Sequence, residues 1–307
     1  MTLHPVNIAM ADSLMSPQEV ATCLLDQRNP AHNIAALEHR QRLIRTWGIP
    51  LGSNILEIGP GQGDFTVALA DAVGPAGRIV AIDNCPPGYG TPPVEEAQAF
   101  ILASHLGPRI EFVRGDPIEY LSSRTEPTAA ASPKKFDFIV FCHCVWYFSK
   151  PHYLAQLLRV APPWAGTALV AEWSLSTSLP EAFPHVLSAL LNNTLESLQS
   201  DSSLRNIRTA QTPPQIIQAA ESAGWALRME QVIPPAPGQL DGRREARMVI
   251  ASEYFKSDLE AVQVNEGVRQ MLYAMRDAVA ASVARLDGGI DAVRAMDVWL
   301  ARFELSE

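Results

Sequence analysis

Asn54-Ile55-Leu56-Glu57-Ile58-Gly59-Pro60-Gly61-Gln62-Gly63-Asp64-Phe65 joins an apolar strand, ending in an acid, to three glycines spaced by single residues. Glycine has no Cβ and accepts positive φ, so the chain can turn sharply here and present backbone N–H groups to a nucleotide-like ligand at the mouth of a helix. The spacing predicts that helix over Asp64 to Ala72 and makes this a strand–turn–helix unit of an α/β fold.

The glycine spacing narrows the ligand. A dinucleotide site needs G-x-G-x-x-G/A, whose third small residue lets helix and strand pack closely beneath a pyrophosphate. Here the third glycine, Gly63, comes one residue early, and Asp64 behind it would repel a diphosphate. Glu57, ahead of Gly59, suits a ligand that carries a positive amino group. On these residues the chain resembles the class I S-adenosylmethionine-dependent methyltransferases, whose first motif is a hydrophobic strand, an acid and Gly-x-Gly-x-Gly.

Three further landmarks follow in the same order. The strand Arg78 to Ile82 ends in Asp83, about 20 residues beyond the glycine loop, where a ribose-binding acid belongs. A carboxylate there can accept charge-assisted bonds from both ribose hydroxyls. Ile110 to Arg114 leads into Gly115-Asp116-Pro117, and Phe136 to Phe141 is a nearly continuous apolar run of the kind a parallel strand buries on both faces. The resemblance covers about Leu51 to Tyr254. It implies S-adenosyl-L-methionine as cofactor, held by Glu57, Gly59, Gly61, Gly63, Asp83, Asn84, Asp116, Pro117 and the backbone near Cys142. It also implies a Rossmann-like, doubly wound, seven-stranded and mostly parallel sheet with an antiparallel final hairpin, plus N-terminal and C-terminal helical additions.

With 307 residues the chain is long enough for one large α/β domain with additions or for two small domains. It carries 33 acidic and 24 basic side chains, net −9, and its only basic doublets are Lys134-Lys135 and Arg243-Arg244. Nucleic acid is a poor partner for such a surface, because phosphate binding draws on clustered cations. Cys23, Cys85, Cys142 and Cys144 form no C-x-x-C pair and read as reduced thiols. Cys142 and Cys144 alternate on one strand without the loop a tetrahedral ion needs, so no metal site is expected. Met1 to Asp12 lacks signal-peptide character, and no apolar stretch nears the ~18 residues of a membrane span. The expectation is a cytoplasmic protein without a membrane partner.

Asn29-Pro30 opens a helix whose Ile34, Leu37, Ile44 and Trp47 recur at helical spacing up to Gly48, with a shorter helix near Pro17 to Asp26 before it. These make residues 1–50 a helical cap, whose His32, Asn33 and His39 read either as solvated or as reaching the pocket. Residues 51–255 form the binding domain, with an inserted helix at about 179–200. Thr125 to Lys135 reads as a surface insertion, Thr167 to Ala171 as a fifth strand, and Thr212-Pro213 as a helix start with its stop at Gly224. Trp225 to Ile233 and Ala246 to Ser252 read as the two strands of the final hairpin. Residues 256–307 read as a helical extension, with Val268, Leu272, Met275, Val279 and Val283 on one apolar face and Ile290, Val293, Met296, Leu300 and Phe303 resuming it. That face could pack on the sheet domain or pair two copies as a homodimer.

The acceptor in an open α/β sheet belongs beyond the carboxyl ends of the strands, which brings in the segment Cys142 to Phe148. His143 is the first candidate for a general base: a histidine ordinarily titrates near ~6.5, so at pH 7 it offers a neutral imidazole to a hydroxyl or phenol. A structural, hydrogen-bonded histidine fits the same position. Glu172, at the exit of the fifth strand, is the second base candidate. Trp146, Tyr147 and Trp173 are the candidates for a wall around the substrate, with core packing as their alternative.

No Asn-Pro-Pro-Tyr type sequence, the usual signature of nucleobase or glutamine amide methylation, follows the fourth strand, and no acidic cluster stands there to hold magnesium. The leading expectation is metal-independent methyl transfer to a small, partly apolar molecule, at oxygen. His143 to Phe148 looks like the corresponding segment of fungal methyltransferases from natural-product or signalling-metabolite pathways. Two alternatives stay open: a protein that binds S-adenosylmethionine without methylating, as a cyclase or regulatory partner, and a nicotinamide-dependent oxidoreductase.

Overall fold

In a computed structural model the opening apolar run becomes β1 (Asn54–Ile58), followed by β2 (Arg78–Asp83), β3 (Ile110–Arg114), β4 (Phe138–Cys142), β5 (Thr167–Trp173), β6 (Trp225–Ile233) and β7 (Val298–Leu305). The structure describes residues 15–86, 88–123, 135–199 and 207–306; the predicted insertion at Thr125 to Lys135 lies outside them, save Lys135. Among the described residues the strands form one sheet in the order β3-β2-β1-β4-β5-β7-β6. β1 pairs in parallel with β2, Leu56 opposite Val80, and with β4, Leu56 opposite Ile139. The winding therefore reverses beside β1, and such a switch point opens a crevice at the carboxyl ends of the strands. Every residue of β4 is buried, as its unbroken apolar run predicts.

β7 runs against β5. The N–H of Ser174, just after β5, donates to the C=O of Asp297, just before β7 (2.9 Å), and the N–H of Leu305 donates to Gly166, just before β5 (3.3 Å). With β6 beside it, β7 completes the antiparallel final hairpin, but its strands are far apart in sequence.

The helices are α1 (Pro17–Ala21), α2 (Pro30–Trp47), α3 (Asp64–Ala72), α4 (Val94–Leu102), α5 (Pro117–Ser122), α6 (Tyr153–Val160), α7 (Phe183–Ser197), α8 (Pro213–Ser222), α9 (Asp241–Ala251), α10 (Glu253–Ala261) and α11 (Glu266–Ala284). Three sequence expectations are corrected. Ala246 to Ser252, read as a hairpin strand, is helical up to Ala251, with Gly242, Ala246 and Val249 buried at helical spacing; an apolar run as short as Met248 to Ile250 does not distinguish strand from helix. The last residues are not helical throughout, since Leu300 and Phe303 sit on β7, a stretch rich in apolar and aromatic residues. α1 also stops at Ala21, short of Asp26.

Contacts divide the chain into two compact units, one of residues 1–142, 159–170 and 302–307, the other of residues 143–158 and 171–301. In the first, α2 starts at the Asn29 cap and Pro30 and ends at Gly48, left-handed at φ +67°. Its Leu37, Ile44 and Trp47 are buried, and Trp47 meets Phe65 of α3 edge-on, with ring centroids 6.2 Å apart. In the second, Leu191 and Leu195 of α7, Val249 of α9 and Leu272, Val279 and Val283 of α11 share one apolar cluster. Arg276 of α11 donates to the C=O groups of Val249 and Ile250 at the end of α9, and Arg269 does the same for Leu259 and Glu260 at the end of α10. A cation there satisfies terminal carbonyls and offsets the helix dipole. Among the described residues no helix is long and apolar enough to cross a membrane.

Candidate functional site

The turn after β1 uses its glycines in two ways. Gly59, Gly61 and Gly63 all have positive φ, at +68°, +52° and +90°. A Cβ on Gly63 would lie 2.6 Å from Ile101 Cδ1 and 3.1 Å from Phe112 Cζ, whereas one on Gly61 would meet nothing within 4 Å. Gly63 is therefore needed for packing and for the N-cap of α3, and Gly61 opens the backbone to an incoming ligand.

Asp83 ties this loop to the end of β2. Its Oδ2 accepts from the N–H of Gly61 (3.0 Å) and its Oδ1 from the N–H of Cys85 (2.8 Å), and the side chain of Gln98 donates to the C=O of Gly61 (2.9 Å). An ionised carboxylate has about four acceptor positions, so Asp83 is oriented by the protein with acceptor capacity to spare. The N–H of Gly115 donates to the C=O of Asp83 (2.9 Å), which brings the turn carrying Asp116 beside it. Asp116 caps α5, Oδ1 accepting from Ile118 and Glu119, and Pro117 takes the first helical position. Asn84 is exposed and Cys142, the last residue of β4, is buried.

Glu57 is 1% exposed, and its Oε2 has no hydrogen-bond partner among the described residues. Burial pushes its carboxyl up to about 8, opposed by the neighbouring Thr66 hydroxyl and Arg40 guanidinium. A buried acid with one oxygen that no described residue satisfies can take a donor from a bound ligand. Arg40 is a residue the sequence reading missed. It breaks the apolar stripe of Leu37, Ile44 and Trp47 on α2, and that break was the available signal. Of the α2 residues considered, His39 is buried rather than solvated, His32 is half-buried and Asn33 donates to the C=O of Asp26.

The second unit gathers the other candidates. His143 holds φ +51°, uncommon for any residue but glycine and a cost of order 1–3 kcal/mol. Its N–H still donates to the C=O of Ala171 (2.8 Å), so the backbone bends there without losing the ladder bond. Nδ1 of His143 lies 3.4 Å from Oε1 of Glu172. Glu172, 1% exposed, accepts on Oε2 from the N–H groups of Val145 (3.0 Å) and Trp146 (3.3 Å), and on Oε1 from Trp173 (3.0 Å).

Trp173 lies between two imidazoles, 4.4 Å from the His143 ring and 5.1 Å from that of His185. Nδ1 of buried His185 accepts from the N–H of Met296 (3.0 Å), and burial lowers its pKa to about 4, so this ring is neutral with its proton on Nε2. Trp146 is 2% exposed, packs on Val186, Ala189 and Met296, and donates from Nε1 to the C=O of Gln211. Tyr147 is 45% exposed. The structure thus groups His143, Glu172 and Trp173 directly, places Trp146 in the core, and leaves Tyr147 open. All four cysteines are thiols, and among the described residues no three His, Cys, Asp or Glu side chains are grouped to hold a metal ion.

The pattern of the methyltransferase domain family matches residues 28–211. Two proteins of Diaporthe leptostromiformis, methyltransferase phomM′ and methyltransferase phomM, are 32% and 33% identical to the chain, each match covering 83% of it and 74% of the relative. Among solved structures, a cyclopropane-fatty-acyl-phospholipid synthase-like protein from Lactobacillus casei aligns with a TM-score of 0.78 at 23% identity, over 94% of this chain and 98% of that one. At that identity the likeness concerns the fold alone.

Proposed function

Since the chain belongs to the methyltransferase domain family and is an enzyme of its S-adenosylmethionine-dependent kind, we propose that it methylates a hydroxyl of a small, partly apolar molecule, without a metal, in a reducing compartment such as the cytoplasm. The observation that carries this reading is the pairing of His143 Nδ1 with a carboxylate that is itself fixed by three backbone N–H groups.

The residues of the first unit fit the cofactor. Gly61 leaves room for close approach, Asp83 retains acceptor positions for ribose hydroxyls, and the open oxygen of Glu57 suits the ammonium of an amino-acid end. Asp116 and Asn84, at the ends of β3 and β2, are assigned to the adenine, and Cys142 contributes backbone. S-adenosylmethionine, when bound, supplies a methyl group already activated on a sulfonium.

The work left to the protein is positioning and proton removal. Oε1 of Glu172, 3.4 Å from Nδ1 of His143, stands where a carboxylate stabilises the imidazolium that forms when the ring takes the acceptor proton. Since Glu172 already accepts three N–H groups, it orients the base rather than acting as one. Trp173, against the His143 ring, and exposed Tyr147 supply aromatic surface for a flat acceptor, while Trp146 holds the turn that carries them. Four cysteines without a C-x-x-C pair fit a reducing compartment.

The test is a screen of hydroxylated, aminated and thiol-bearing small molecules with S-adenosylmethionine, reading S-adenosylhomocysteine in single turnover, with and without EDTA. Turnover with hydroxyl acceptors that EDTA leaves intact is expected. Turnover confined to amines, thiols or carbon acids would overturn the oxygen assignment, and EDTA inhibition the metal-free one.

A further inference from the structure

The first turns of α9 carry Asp241, Arg243, Arg244, Glu245 and Arg247, and two pairs among them point to different partners. Arg243 and Arg247 reach Oδ1 of Asp291, at 3.5 and 3.4 Å. Asp241 and Glu245, one helical turn apart, act on α7 instead: Oε2 of Glu245 accepts from Nδ2 of Asn192 (3.1 Å), and the Asp241 charge is felt by the buried ring of His185. Two acids at that spacing repel each other and weaken a helix. What α7 sets against them is neutral, an amide and an imidazole without charge, and no lysine or arginine among the described residues pairs with Glu245.

The same face of α7 holds a second open group. His185 is 2% exposed and is fixed through Nδ1, which accepts from Met296, and among the described residues nothing accepts from its Nε2–H. A buried donor left in this way costs stability that a ligand can restore. The His185 ring lies 5.1 Å from Trp173, itself 4.4 Å from His143, so this polar layer begins two rings away from the base. Half-buried Glu245 has no described partner on Oε1, and burial with the Asp241 charge pushes its carboxyl up to about 7. A cation beside it would relieve both costs. We propose that Glu245 binds a protonated amine carried by the methyl acceptor, with the Nε2–H of His185 meeting an oxygen of the same molecule. A protonated nitrogen has no lone pair to methylate, so it anchors the acceptor and leaves the hydroxyl to react. This rests on the reading of His143 as the base for hydroxyl methylation. The competing explanation is that Glu245 stays protonated and only ties α9 to α7 through Asn192.

Calorimetric titration of the S-adenosylhomocysteine-loaded protein separates the two, with tyramine, N-acetyltyramine and 4-ethylphenol as probes that share a phenol and differ in charge. Tyramine is expected to bind roughly tenfold or more tightly than either neutral phenol. Glu245→Gln, which keeps an acceptor for Asn192, should erase that advantage and leave the neutral phenols within about twofold of their wild-type affinity, and Glu245→Asp should keep part of it. Equal binding of the three probes by the wild type, no binding of tyramine at millimolar concentration, or an advantage that survives Glu245→Gln would overturn the assignment; the wild-type comparison decides alone should Glu245→Gln fail to fold. Product analysis with S-adenosylmethionine keeps the two readings apart. O-methylation of the phenols without preference for tyramine defeats this inference only, whereas N-methyltyramine as product defeats the hydroxyl reading with it.

Discussion

The carboxylate of Glu172 lies 3.4 Å from Nδ1 of His143 by one oxygen and holds the N–H groups of Val145 and Trp146 by the other, so one buried acid lies against the imidazole and holds the turn after it. His143→Asn, which tolerates the left-handed backbone, is expected to lower turnover about 10²-fold or more while leaving S-adenosylhomocysteine affinity unchanged. Glu172→Gln should lower turnover and also cost about 1.5–3 kcal/mol in urea unfolding, because an amide nitrogen cannot accept from the backbone donors. Near-normal turnover in His143→Asn would return His143 to a structural role.

The glycine loop separates binding from stability. Gly63→Ala adds a Cβ at 2.6 Å from Ile101 Cδ1 at φ +90° and should destabilise by about 2–4 kcal/mol. Gly61→Ala meets no neighbour within 4 Å, so it should cost only about 1–2 kcal/mol of backbone strain yet abolish measurable cofactor binding. Tight binding by Gly61→Ala would show that the ligand does not approach that backbone.

Glu57 makes stability depend on pH. Its carboxyl is raised from 4.5 to about 8, so its contribution is full below pH 4.5 and is lost as pH rises through 8. Relative to Glu57→Gln, the ligand-free wild-type protein should lose about 2–3 kcal/mol between pH 5.5 and 7.5, read by denaturant unfolding. Parallel profiles would mean that Glu57 ionises normally.

His185 acts in the opposite sense. Its pKa is lowered from 6.5 to about 4, so its contribution is present above pH 6.5 and is lost as pH falls through 4. The stability difference between wild type and His185→Asn should shrink by about 2–3 kcal/mol from pH 7 to 4.5. A constant difference would place a charged imidazole in the folded state.

Most of the sheet was legible because its inner strands are buried on both faces. Leu56, Val80 and Ile139 stand side by side in it, in short apolar runs whose length and β-branched residues favour a strand. The edge was harder. Ala246 to Ala251 carries an apolar triplet that suits a strand or a helix, and only packing against α7 and α11 decides. Leu300 and Phe303 kept a three-to-four spacing that a buried strand reproduces by chance.

Within the candidate site, the backbone features were readable because glycine and cap residues carry their geometry with them. Side-chain partnerships were not. That Glu172 lies against His143, that Trp146 is core and that Arg40 reaches Asp64 all depend on residues brought together from separate parts of the chain.

The most direct test of the account is calorimetric titration of the folded, ligand-stripped protein with S-adenosylhomocysteine, alongside Asp83→Ala. One saturable site in the wild type, weakened by about 1.5–3 kcal/mol in the variant that loses the ribose-facing carboxylate, is the expected result. No detectable association in the wild type, or an affinity indifferent to Asp83, would contradict it.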